Sequence, residues 1–313
     1  MTNNRIAKFC VLAAGIATLP AISFAGTSAK ESKEVKQVIE KCKESCISGD
    51  IGLNVVSQYI SRGVIYENQG GIIQPYADLY AKIYEGEGIL NKASLALGIW
   101  GSFQSRKDTG FGRIPEGGST TRAWFETDFS AGVALTFAKN FTFTPSYYIF
   151  TSPNDAFATF QGLNLKLAYD DTDLLGAFAL HPYVQVLFEL ENKISTGVDE
   201  GVYYEIGIAP SHAFGPVTVT VPITLGLGSD KFYVNTGNGD ETYGFFSAGV
   251  TASYNLPFVP ECYGTWTVSA GYTYYNLGEG TDYVYSKEDG VGGTIRDHNS
   301  NEHVFQGGLQ VSF

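Results

Sequence analysis

The stretch that most constrains this chain is its last, Asn301 to Phe313, which reads NEHVFQGGLQVSF. Side chains of an extended strand alternate between its two faces. Phe305, Gly307, Leu309, Val311 and Phe313 therefore share one face, and Gln306, Gly308, Gln310 and Ser312 share the other. An apolar strand left at an open edge recruits other chains. Such an ending is accounted for when the strand closes a barrel and turns its apolar face to lipid. The last strand of a soluble β-sandwich is the plainer alternative.

The same period of two runs from Gly52 onward. Twelve segments carry it: 51–62, 73–84, 92–104, 120–137, 140–151, 158–169, 178–190, 201–209, 216–228, 242–254, 264–276 and 302–313. In one of them Leu95, Leu97 and Ile99 face one way, and Ser94, Ala96 and Gly98 the other. A sandwich also alternates, so the connections decide. With the first strand rising from the periplasmic side, the outer connections include the three longest, at 105–119, 229–241 and 277–301. The inner ones are short and include the link Ala138-Lys139. Long outer loops, short inner turns and an even strand number predict a transmembrane up-and-down antiparallel β-barrel of about 12 strands over residues 51–313. In that setting Phe305, Leu309, Val311 and the terminal Phe313 look like the signal read by the barrel-assembly machinery of the bacterial outer membrane.

The N-terminus suits this destination. Arg5 and Lys8 precede an apolar run, Phe9 to Leu19, and Ser23-Phe24-Ala25 offers a small-residue cleavage site, so residues 1–25 read as a signal peptide. No later apolar run is long enough for a transmembrane helix. Removing Arg5 and Lys8 leaves 18 basic against 32 acidic residues, a net charge of −14. So acidic a chain is a poor partner for nucleic acid. Residues 26–50 differ from the rest: Val35, Val38, Ile39, Cys42 and Cys46 form a stripe at helical spacing over about 30–46. That segment reads as a solvated periplasmic linker helix, or as a short oligomerising helix or a lid beneath the barrel. Three cysteines remain in an oxidising compartment. Cys262, in a turn on the periplasmic side, pairs with Cys42 or Cys46, or those two pair locally and leave it free.

The outward face of the expected barrel carries Tyr59, Tyr84, Phe103, Phe125, Phe137, Tyr169, Tyr204, Tyr254, Trp266, Tyr272 and Phe313. Several lie near strand ends, where aromatic rings suit the headgroup level. The inward face carries Arg62, Asp78, Lys82, Lys92, Arg122, Glu126, Asp128, Lys166, Glu189 and Glu205. An Arg or Lys facing lipid near the midplane costs roughly 2–4 kcal/mol, so charges kept to one face imply a wet or internally paired lumen. These ten residues are the candidate pore lining. The sequence predicts a narrow pore for small polar solutes, with a mild cation preference set by the acidic loops. No cofactor or metal ligand set is expected.

The segment Ser57-Gln58-Tyr59-Ile60-Ser61-Arg62-Gly63 fits Ser-x-Tyr-x-x-Arg-Gly, and Gly98-Ile99-Trp100-Gly101-Ser102 follows about forty residues later. Together these resemble the TorF-type family of porins, a resemblance that covers the first three strands. It implies an outer-membrane barrel with a transport role. Arg62 is then expected at the pore mouth, facing solute or lipopolysaccharide phosphates, with Gly63 permitting a sharp exit. A different chemistry is offered by His298-Asn299-Ser300-Asn301, whose His-x-Ser-Asn order resembles the motif of outer-membrane phospholipases, with Asn276 as third member. A third reading is a structural or adhesive barrel that conducts nothing. The acidic loop 277–301 matches no metal cage spacing.

Overall fold

The computed structural model describes residues 46–68, 70–105, 123–196, 199–235, 239–281, 283–284, 295–296 and 300–313. Residues 1–25, expected to be a signal peptide, most of the segment expected to be helical, with Cys42, and Arg122 and His298 lie outside these residues.

Among the described residues, twelve antiparallel strands close into one barrel. They are β1 (Ile47–Val56), β2 (Ile72–Glu85), β3 (Leu90–Gln104), β4 (Trp124–Phe137), β5 (Phe141–Thr151) and β6 (Phe160–Tyr169). There follow β7 (Tyr183–Glu191), β8 (Val202–Ile208, resumed as Ser211–Phe214), β9 (Val217–Thr220, resumed as Ile223–Gly228), β10 (Tyr243–Asn255), β11 (Thr265–Leu277) and β12 (Asn301–Ser312). Each strand pairs with its sequence neighbour, and β12 closes the ring against β1 with Ile51 opposite Val311 and Leu53 opposite Leu309. The breaks in β8 and β9 fall at Pro210 and Pro222, which have no N–H to give the ladder. Each still accepts: Pro210 from the Val221 amide and Pro222 from the Gly249 amide, both at 2.9 Å.

The barrel is apolar outside. Ile51, Leu53, Leu95, Leu97, Ile99, Phe129, Val184, Ile206, Val250, Phe305 and Leu309 are all exposed on its outer face. Inside, aromatic rings lie over glycines on the adjacent strand. A Cβ on Gly52 would meet the Tyr76 ring at 2.3 Å, and one on Gly207 would meet the Tyr183 ring at 2.5 Å. Glycine at these sites thus lets bulky residues lie flat inside the wall.

The main difference from the sequence reading lies just after β1. The expected strand 51–62 ends at Val56. Residues Tyr59–Ser61 and Val64–Glu67 form a hairpin that leaves the wall and folds into the lumen. Its turn is Arg62-Gly63, with φ of 50° and 81°. Positive φ at both central residues is the twist a two-residue hairpin needs. Gly63 also has little room, since a Cβ there would stand 3.0 Å from Phe245 and 3.2 Å from the Gly244 carbonyl. One side of the hairpin packs Tyr59, Val64 and Tyr66 against Val56, Ile72, Trp100 and Phe125. The other packs Ile60 and Ile65 among Tyr148, Phe150, Phe160, Leu187, Tyr203, Phe232 and Tyr233. The principal core of the molecule is therefore inside the barrel, at the end opposite the chain terminus Phe313. Ile65 is fully buried, and burial of such a side chain contributes about 1.5–3 kcal/mol.

Two aromatic residues expected on the outside are corrected by this core. Tyr59 belongs to the hairpin and faces the lumen. Phe125 is turned inward by a bulge at the start of β4, where Glu126 opposes Ser102 but Trp124 opposes Phe103. The extra residue puts Phe125 and Glu126 on the same side. Trp124 takes the outer position and stacks on Phe103 at 5.4 Å.

Candidate functional site

The hairpin divides the lumen into a filled half, at the loop end, and a polar half, at the end with the turns. Arg62 sits in the filled half. It is buried rather than at the mouth, because its turn points into the barrel and not out of it. Its Nη1 donates to Ser61 Oγ at 3.0 Å, its guanidinium lies 5.4 Å from the Phe150 ring centroid, and its Nε has no hydrogen-bond partner. The Arg62 carbonyl accepts from Tyr233 Oη at 2.6 Å, which pins the turn to the loop after β9.

Glu126 and Asp128 alternate on β4 and face this arginine from the wall, within Coulombic reach of it. Both are buried. Tyr59 Oη donates to Glu126 Oε2 at 2.8 Å, tying the hairpin to the wall. Asp128 Oδ1 has no partner. A buried charge is costly unless paired or hydrogen-bonded. Here one positive group on the hairpin balances two carboxyls on the wall without touching them, and unfilled polar atoms remain on both sides of the seam.

The other expected pore-lining residues spread over several settings. Glu189 closes a loop: its carboxylate accepts the backbone N–H groups of Ile194 (2.8 Å), Ser195 (3.1 Å) and Gly201 (2.8 Å), and the Ser195 hydroxyl (3.1 Å). That holds Ile194, Ser195 and Gly201 to the wall, and the Ile194 carbonyl receives Tyr66 Oη at 3.0 Å. Glu205 is held by Tyr183 Oη at 2.8 Å and by Tyr203 Oη. Lys166 places its Nζ 4.1 Å from the Tyr183 ring centroid. Asp78 stands directly across from Asp50, which is tied down by Gln310 Nε2 at 2.8 Å. Lys82 pairs with Glu85 at 2.7 Å near the turns, and Lys92 is half-buried opposite Glu85.

The structure thus brings Arg62, Glu126 and Asp128 together and leaves Asp78, Lys82, Lys92, Lys166, Glu189 and Glu205 apart from them. Sequence reading missed the tyrosines around Arg62, namely Tyr66, Tyr148, Tyr203 and Tyr233. A signal for them was present: Val64-Ile65-Tyr66 is too apolar for a solvated loop. Of the alternative hydrolase set, Ser300 and Asn276 lie at the loop-end rim, and the Asn276 amide is occupied by Tyr243 Oη at 2.8 Å. Cys46 and Cys262 are both exposed and not bonded to each other. Phe305, Leu309, Val311 and Phe313 all lie on the outer face of β12, and Phe313 exchanges backbone hydrogen bonds of 2.9 Å with Gly49.

A barrel that is apolar outside and polar or plugged inside is a membrane-spanning β-barrel. No protein-family model matches the chain, and no curated protein does. Solved structures share the general architecture. The NanC porin is 12% identical, with a TM-score of 0.43, over 84% of this chain and 98% of that one. An outer membrane channel from Pseudomonas putida F1 is 10% identical, with a TM-score of 0.43, over 90% and 100%. The translocator domain of the autotransporter NalP from Neisseria meningitidis is 12% identical, with a TM-score of 0.40, over 87% and 90%. Likeness at this level carries no functional inference.

Proposed function

We propose that the chain is a bacterial outer-membrane channel for small polar solutes, narrowed by its own hairpin of Tyr59–Ser61 and Val64–Glu67. The loops face outward and the turns face the periplasm, so solutes enter past the hairpin and leave through the polar half. The observation that carries this reading is the seam between Arg62 and Asp128. Each offers a buried polar atom without a partner, Nε on one side and Oδ1 on the other, where the hairpin meets the wall. Unpaired donors and acceptors in a closed core are costly, so their retention favours a path for polar matter. A donor set against an acceptor across a constriction orients polar solutes as they pass. The resemblance of residues 57–63 to TorF-type porins agrees with this reading, and the exposed apolar outer face suits contact with lipid and lipopolysaccharide. No reaction is proposed.

Planar-bilayer recording on the refolded full chain tests it. The wild type is expected to conduct weakly, with reversal potentials in a salt gradient that favour cations. Val56 and Ile72 already stand opposite each other, so residues 59–67 can be replaced by Gly-Ser-Gly without stretching the wall. That variant is expected to conduct several-fold more. Absence of conductance in both proteins would make this a filled, structural barrel.

A further inference from the structure

The polar half of the lumen holds hydrogen-bond donors that neither the plug nor the wall uses. Ser146 on β5 and Asn164 on β6 stand directly opposite each other, and each is only 2% exposed. Ser146 Oγ and Asn164 Nδ2 have no hydrogen-bond partner. Lys166 lies two residues beyond Asn164 and so shares its face. Among the described residues, no hydrogen bond or ion pair holds its ammonium, whose one contact of note is the Tyr183 ring. Neighbours across a ladder are about 5 Å apart and alternate residues about 7 Å, so the three groups span roughly the size of one ligand headgroup.

This patch is rich in donors. An ammonium offers three N–H donors, an amide two and a hydroxyl one. Gly132 stands directly opposite Ser146, and a Cβ there would stand 2.4 Å from Ser146 Oγ, so glycine leaves the hydroxyl its position. A planar carboxylate has two oxygens to receive such donors, and its single charge matches that of Lys166. A second negative charge is disfavoured, because Glu205 sits behind the same Tyr183 ring, bonded to its hydroxyl.

We propose that Ser146, Asn164 and Lys166 form a binding subsite for the carboxylate group of a small organic acid within the lumen. The channel reading supplies the solute's route to this subsite, but binding does not require conduction. Calorimetric titration of sodium gluconate into the full chain, refolded in detergent micelles, tests the proposal. Saturable binding is expected for the wild type, with sorbitol and inorganic phosphate weaker by about tenfold or more. Lys166→Gln and Asn164→Leu are each expected to weaken gluconate by about tenfold, while Lys166→Arg stays within about threefold of the wild type. Heat-modifiable gel migration reports whether each variant is folded. The proposal is overturned if folded wild type does not saturate with gluconate, or if folded Lys166→Gln binds it equally well. A silent bilayer together with saturable gluconate binding would remove the channel and leave the subsite.

Discussion

At the scale of single residues, the plug hangs on a few polar bonds set in an apolar bed. Tyr59 is the sharpest case. Its ring lies 5.4 Å from Trp100 and 5.0 Å from Tyr66, while its hydroxyl serves Glu126. Tyr59→Phe keeps the packing and strips a buried carboxyl of its donor, at a cost of about 1–3 kcal/mol. About 1.4 kcal/mol is a tenfold change in an equilibrium, so the hairpin is expected to leave the lumen about ten times more often. Single-channel recording would register this as more frequent large openings. An unchanged open frequency would mean that the hairpin is held by packing alone. Tyr59 also marks where reading by period fails. Tyr59, Ile60 and Ser61 are all buried, so the hairpin has no wet face and no alternation to betray it. The residues fitted the end of a strand, and only the apolar Val64-Ile65-Tyr66 after them points to a plug rather than a wall.

At the scale of elements, strands were legible because alternation is a local property, whereas connections depend on what they meet. The turn between β6 and β7 is an example. Its short helix, Thr172–Leu175, has no buried residue. What organises it is Asp171, whose carboxylate accepts the N–H groups of Leu180 at 3.0 Å and His181 at 2.9 Å. Burial raises this carboxyl, but those backbone donors more than offset it, so it lies below the usual carboxylate range. A carboxylate depressed by folding contributes stability above its unfolded pKa, and that contribution fades as pH falls through the folded value. The contribution is therefore present at neutral pH and lost only below about pH 4. Asp171→Asn is expected to lower the unfolding midpoint of the refolded barrel more at pH 7 than at about pH 3, as read by urea titrations at the two values. An equal loss at both would mean that charge plays no part. The turn after β4 offers the opposite lever. Ala138 and Lys139 both have positive φ, at 47° and 72°. Lys139→Gly should relieve about 0.5–1 kcal/mol of backbone strain, raising the urea midpoint.

At the scale of the whole molecule, the closing strand ties the argument together. Its alternation was visible in thirteen residues, but its partners were not, because pairing across the seam joins residues more than 240 positions apart. The structure gives each outward residue of β12 two neighbours: Leu309 meets Leu53 on β1 and Val268 on β11. Its inward neighbour Gln306 reaches instead toward Thr251 inside the lumen. The two sites are three residues apart on one strand and differ only in what lies beyond them. Leu309→Arg would put a charge into lipid, at a cost of roughly 2–4 kcal/mol if the site lies near the midplane. Gln306→Arg would put the same charge into a polar lumen, where water and side-chain oxygens receive it. Refolding into lipid vesicles, followed by heat-modifiable gel migration, is expected to show most Leu309→Arg protein unfolded and Gln306→Arg protein folded like the wild type. Equal folding of both would mean that no lipid lies against β12, and an inside-out barrel would then lose its reason. The same contrast repeated on β3, with Leu97→Arg against Ser94→Arg, reads a different part of the wall and separates a fault at the seam from the membrane reading of the whole ring.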